Sequence, residues 1–397
     1  MGLCVSKPSV SGSPEHYATH ATEQVTPSES SSPSRRESPS SSISALRDAS
    51  PPPRRRSACP EPQGSPSWQW AGWSGHEGSS GWSEYQGNLH DSAHEWQGVF
   101  STDRKQLGAY LLARYLDGRE VSESHAQSLA EASETLKDTR DTLSFGRGNV
   151  DADLELTQGE SGQRVAASRV VSQRLKESGA TLGTSHTVAM AELVKAGLCS
   201  EHGDVAVHRH IPKLKTGEQI HKIAAPRSDH GWAELRRPGS PKENAIVIDP
   251  WAEGGPILAE DGSYTHPHIS DDARVSRYAY GPALGRRALA SLEKSRAQLS
   301  NIAASVERAR SELSDNGYWP ESERIWSPEP VIESGFAQRV QAQCADSKNA
   351  ERNWSAAMRI ATQLGSPKET LEKNARSLLE LASNLRQVPQ NARRPNV

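Results

Sequence analysis

From about Ser6 to Pro66 the chain alternates serine and proline clusters with few large apolar side chains. Such a stretch cannot bury enough surface to offset the entropy of ordering it. A disordered tail is therefore expected over residues 1–66, and any core is confined to the residues beyond it. Hydrophobic residues make up only 34% of the 397, which agrees with a sizeable unfolded share. Residues 67–102 form a linker in which Trp68, Trp70, Trp73, Trp82 and Trp96 stand among Gly, Ser, His and Gln with no helical or strand periodicity. Aromatic motifs of that kind suit docking onto a groove, a membrane interface or the chain's own folded body.

The folded body is expected over residues 103–397. KQLGAYLLARYLDGR, at 105–119, has apolar residues at 107, 110, 111, 112 and 115, which is helical spacing. Further helices are expected at 122–143, about 160–178 and 185–195, with a Gly-containing loop at 145–153. The pattern then changes. A helix starting at or just after Cys199 is expected to end near His210, before Pro212. Short strands follow at Ile220–Ala225, His230–Leu235 and Ala245–Ile248, separated by the turn-forming APRSD and RRPGSPKEN. Beyond Trp251 a loop carrying His266 and His268 is expected to run to about Pro282. One long helix should then cover 284–316, and two more should share 332–386, split near Gly365-Ser366-Pro367. The fold class expected is α+β and papain-like: a helix carrying a nucleophile, packed on a small antiparallel sheet, with many helices around both.

The 46 basic and 49 acidic residues give a net charge of −3, so nothing demands a nucleic-acid partner. Cys4, Cys59, Cys199 and Cys344 show no pairing pattern, so neither a disulfide framework nor a cysteine zinc ribbon is expected. No apolar run is long enough to span a membrane, and the amino terminus has no apolar leader. It does read Met1-Gly2-Leu3-Cys4-Val5-Ser6, which fits the pattern for N-myristoylation of Gly2. One myristoyl chain binds membranes only marginally, with K on the order of 10⁴ M⁻¹, and S-palmitoylation of Cys4 would supply the second signal.

The chemistry lies in three strings: AGLCSEHGD at 196–204, DHGWAEL at 229–235 and AIVIDPW at 245–251. They supply Cys199, His230 and Asp249 in that order, the equipment of a thiol nucleophile. An imidazole takes or shares the thiol proton, and a carboxylate fixes the tautomer and orientation of the imidazole. Gly197 is expected to break the helical run TSHTVAMAELVKA, so that a new helix starts at Cys199, and a helix N-terminus favours a thiolate. Pro250 prevents the Ala245–Ile248 strand from continuing and leaves Asp249 at its end. Trp232 and Trp251, beside the His and the Asp, are candidates for walls of a substrate cleft. A rival reading takes Cys199, His202, His208 and His210 as metal ligands, but their spacing matches no standard zinc pattern, and neither metal nor cofactor is expected. Glu155, Gln158, Glu160, Gln163 and Arg164 either line a groove or form an exposed helix face, and the second is favoured.

Gly197-x-Cys199, His230-x-Trp232 and Asp249-Pro250 resemble the motifs of transglutaminase-like cysteine hydrolases. More closely, the chain is similar to the AvrPphE/HopX/XopE family of type III effectors of plant pathogens, and most to the XopE members of Xanthomonas. The likeness rests on the MGLC start and on LTQGESGQRVAASRVVSQRL ahead of the cysteine, and it covers roughly residues 100–397 plus the first ten. It implies a transglutaminase-like fold with Cys199 as nucleophile, His230 as base and Asp249 as orienting acid. It also implies delivery into a plant cell, a host protein as substrate, and the cytoplasmic face of the host plasma membrane as the place of action. Peptide cleavage, deamidation of a glutamine and acyl transfer to an amine share this chemistry, with cleavage the first expectation. A non-catalytic effector that binds a host immune protein stays open beside them.

Overall fold

The computed structural model describes residues 102–386 apart from 226–227, 266 and 268–273. Gly2, Cys4, the five linker tryptophans, His266 and His268 lie outside the described residues. Among the described residues five helical segments precede the cysteine helix: α1 Thr102–Leu116, α2 Glu123–Thr142, α3 Asp151–Leu156, α4 Glu160–Glu177 and α5 Thr184–Val194. The Ser122 hydroxyl accepts from the His125 N–H, which caps α2. Two short strands, β1 Gly146–Arg147 and β2 Ala196–Gly197, pair in parallel. The helix α6, Cys199–His210, begins two residues after β2.

The main sheet is antiparallel throughout. It contains β3 Gln219–Ala225, β4 His230–Arg236, β5 Ile246–Ile248, β6 Ile257–Leu258 and β7 Val275–Tyr280, in the order β6-β5-β4-β3-β7. The register sets Ala225 against His230 and Lys222 against Ala233, so Lys222, Gly231, Ala233 and Leu235 share one face while His230, Trp232 and Glu234 share the other. The first face meets α6. Gly203 of that helix permits the approach, because a Cβ there would lie 3.1 Å from the Trp232 Cα and 2.4 Å from Lys222 Nζ. Ala206, Val207 and Ile211 join Ile220, Ala233, Leu235 and Ile246 in the main core. The other face is covered by the segment after β6, where Tyr264 stacks on Trp232 with centroids 6.1 Å apart and Arg274 binds Glu234.

Five more helices complete the body: α7 Pro282–Ser300, α8 Ala303–Asp315, α9 Ser334–Ala345, α10 Ala350–Gln363 and α11 Leu371–Ser383. The last three pack with α1 through Leu107, Leu112, Ile360, Leu364 and Leu378 and extend the main core. A second core joins α4, α5, α7 and α8 through Val165, Val188, Met190, Leu292 and Val306. Among the described residues no helix is long and apolar enough to cross a membrane.

The α+β class and the small antiparallel sheet are as expected, and the differences have local causes. The expected helix over 284–316 is two helices, broken where Ile302 turns back on the Leu299 carbonyl. Three helices, not two, occupy 332–386, because the Asp346 carboxylate accepts from the Lys348 N–H and caps a short turn there. The loop expected up to Pro282 contains β7, whose first three residues are exposed and whose pairing with β3 shifts register between Lys222 and Ile223. Gly197 does not break the preceding helix. Lys195 does, in the left-handed conformation at φ 54°, and Gly197 instead gives room for Glu201, whose Cβ would lie 2.7 Å from an added Cβ.

Candidate active site

Cys199 is the first residue of α6, so its backbone N–H has no intrahelical acceptor. The turn before it is held on both sides. The Leu198 N–H donates to Glu201 Oε2 at 3.0 Å, and Glu201 is tied by its other oxygen to Arg169. His202 donates from Nδ1 to the Leu198 carbonyl at 2.9 Å; burial pushes its pKa down to about 4, so the ring stays neutral. The half-buried thiol points toward the start of β4, with Sγ 3.7 Å from the Asp229 carbonyl oxygen. Asp229 turns the chain into that strand at φ 47°.

His230 opens β4 and Asp249 follows β5. With Ala233 opposite Ile248, Asp249 falls on the histidine's side of the sheet. His230 Nε2 and Asp249 Oδ2 are 2.6 Å apart, and both side chains are almost fully buried. The other carboxylate oxygen accepts the N–H groups of Trp251 at 3.2 Å and Ala252 at 3.1 Å. Burial by itself would disfavour the charged imidazole. The Asp249 carboxylate outweighs it, and with the neighbouring Cys199 raises the His230 pKa to about 10. For Asp249 burial acts upward, and the imidazolium and the two backbone N–H groups overcome it, so its carboxyl is held below the usual range. His230 Nδ1 is buried with no hydrogen-bond partner, and its other nitrogen is the one on Asp249. Cys199 is near enough to the imidazole to help raise its pKa.

Three aromatic rings surround the imidazole: Tyr264 at 4.8 Å, Trp251 at 5.1 Å and Trp232 at 5.4 Å between centroids. Trp232 is wholly buried, so it is not a cleft wall. Its indole N–H donates to Glu234 at 2.8 Å, and Arg236 and Arg274 hold that carboxylate. Trp251 is also buried and makes a side wall for the imidazole, with its indole N–H on Asn149 Oδ1 at 3.2 Å. The loop carrying Asp249 is clamped from outside the sheet. Arg140 donates to the carbonyls of Pro250, Ala252 and Gly254, and buried Arg147 donates to the Trp251 carbonyl at 2.7 Å while bound to Asp153 and Glu253.

Comparison with known protein families, with curated proteins and with solved structures finds no match.

The structure brings Cys199, His230 and Asp249 together and does not assemble the alternative ligand cluster. His202 faces Leu198 O, His208 faces Asp204 O and His210 faces Thr135 Oγ1, each at 2.9 Å, so the rings diverge along α6. Among the described residues no group of three His, Cys, Asp or Glu is placed to hold a metal. Glu160 and Arg164 pair along α4, Arg164 lies over the Phe145 ring at 3.7 Å, and Gln163 is buried, so this stretch is only partly an exposed face. Cys344 is packed against the main core, where burial pushes its thiol up to about 11. Arg140, Arg147, Asn149 and Tyr264 escaped the sequence reading. They come from other parts of the chain and carry no motif of their own, though an Arg147–Asp153 pair within six residues was a signal that could have been followed.

Proposed function

We propose that the chain is a thiol hydrolase of transglutaminase-like type acting on an amide carbonyl. The observation that carries this reading is a buried imidazole held by the Asp249 carboxylate on Nε2, with a thiol at a helix start 3.7 Å from the carbonyl of the residue before the histidine. His230, whose pKa is raised to about 10, can supply the proton, and the sulfur is the nucleophile. Sγ attacks the carbonyl carbon, the carbonyl π pair moves onto oxygen, and the C–N bond breaks as His230 gives its Nδ1 proton to the leaving amine. Water, its proton taken by the now neutral ring, attacks the thioester carbon and releases the acid. Asp249 orients the ring and offsets its charge throughout.

The likeness to the XopE effectors supports the setting: secretion into a plant cell, attachment to the cytoplasmic face of the host plasma membrane through Gly2 and Cys4, and a host protein as substrate that alters immunity. Wild type, Cys199→Ala and Gly2→Ala expressed in plant cells test this reading. Cys199→Ala is expected to be stable, membrane-bound and inert, and Gly2→Ala to leave the membrane. Fragments of a host protein would mark a protease, and a mass change without cleavage a deamidase. Wild-type activity in Cys199→Ala would leave a binding module instead.

A further inference from the structure

We propose that the side-chain amide of Asn149 is the second oxyanion donor of this site, completing a hole whose first donor is the Cys199 backbone N–H. This rests on the thiol-hydrolase reading above. In the attack step the carbonyl π pair becomes a full charge on oxygen, and two aimed donors are the usual means of holding it.

Three observations lead to Asn149. The parallel pairing of β1 and β2 sets Arg147 against Gly197, with the Gly148 N–H on the Gly197 carbonyl at 3.1 Å. Asn149 and Cys199 each follow the end of this short ladder by two residues. Next, the Trp251 indole, whose ring lies 5.1 Å from the imidazole, donates to Asn149 Oδ1. An indole nitrogen can only donate, so this bond fixes which end of the amide is oxygen and turns the NH₂ away from Trp251. Finally, the Asn149 carbonyl accepts the Trp326 N–H at 2.8 Å, so the backbone is held while the side chain is oriented.

The Asn149 NH₂ is also a donor left uncommitted. The indole of Trp232 is committed to Glu234, that of Trp251 to Asn149 itself, and the His202 Nδ1–H to Leu198 O. Among the described residues the Asn149 NH₂ meets no acceptor, and it is not among the buried unpartnered atoms, so solvent or a ligand can reach it.

The test uses the full chain and two probes of Cys199. Iodoacetamide alkylates the thiolate by displacement of iodide and creates no oxyanion. The peptide aldehyde acetyl-Leu-Leu-norleucinal forms a hemithioacetal: the C–S bond forms, the carbonyl π pair moves to oxygen, and that oxygen needs the hole until it takes the imidazolium proton. Alkylation of Cys199 is followed by mass spectrometry with Cys344 as internal reference, with and without aldehyde. For Asn149→Ala the alkylation rate should stay within about twofold of wild type while aldehyde protection weakens about 10²-fold, the low end for losing one donor. Asn149→Asp keeps an acceptor for the Trp251 N–H but offers no donor, and its ratio of aldehyde protection to alkylation should fall as far. Wild-type protection in either variant overturns the assignment, as does a parallel fall of alkylation and protection. If in the wild type itself Cys199 reacts no faster than Cys344 and the aldehyde protects nothing, the thiol reading falls and Asn149 with it.

Discussion

Asp249→Asn separates the charge of the acid from its shape. The amide oxygen can keep the N–H bonds of Trp251 and Ala252, so the loop should hold its course. Its NH₂, however, replaces the acceptor 2.6 Å from His230 Nε2. The ring must then present Nε2 as acceptor and carry its proton on Nδ1, toward the thiol, which is the wrong tautomer for a base. Turnover should drop by about 10³–10⁴-fold. A rise of the histidine from 6.5 to about 10 corresponds to roughly 5 kcal/mol of coupling between the imidazolium and its surroundings. The thiol shares in that coupling and the pair relaxes when broken, so a loss of about 2–3 kcal/mol is expected, lowering Tm by roughly 5–10 °C. The sign with pH is fixed by linkage. A histidine whose pKa is raised on folding contributes fully below its unfolded value of 6.5, and the contribution disappears as pH climbs through about 10. Melting curves of wild type and Asp249→Asn from pH 6 to pH 10 should therefore converge toward the alkaline end. A Tm gap that stays constant over that range would refute the charged imidazole, and with it the assignment of the proton to His230.

Other outcomes follow from the packing around the site. Gly203→Ala should destabilise by about 1–3 kcal/mol, because the new methyl meets the Trp232 backbone at 3.1 Å and Lys222 Nζ at 2.4 Å; a denaturant midpoint equal to wild type would contradict the close approach of α6 to β4. Arg140→Leu removes donors from the carbonyls of Pro250, Ala252 and Gly254 and should slow Cys199 alkylation by loosening the Asp249 loop, an effect that hydrogen exchange at Trp251 and Ala252 would report independently.

Much of this site was legible before any tertiary structure. The change from helical spacing to short alternating strands at Cys199 predicted α6, β3, β4 and β5 close to their observed bounds, since local periodicity and turn chemistry suffice for elements buried on a continuous face. The order Cys199, His230, Asp249 and the Pro after the aspartate pointed to the residues that the fold brings together. The edges of the sheet were another matter. The first three residues of β7 are exposed in succession, and β6, β1 and β2 are each two residues long, so no alternation is left to read.

The sequence by itself determined where a core could form, which residue types stood ready for thiol chemistry and the rough frame of a helix followed by a sheet, because propensity and periodicity act over a few residues. Only the tertiary structure decided that Trp232 is sealed beneath the imidazole, that the histidines of α6 diverge, and that Arg140, Arg147 and Asn149 reach the loops around Cys199 and Asp249 from positions far away in the chain. Those outcomes depend on desolvation and on hydrogen bonds between distant segments. They come into being only when α6 closes on the sheet and water is removed from the groups between them.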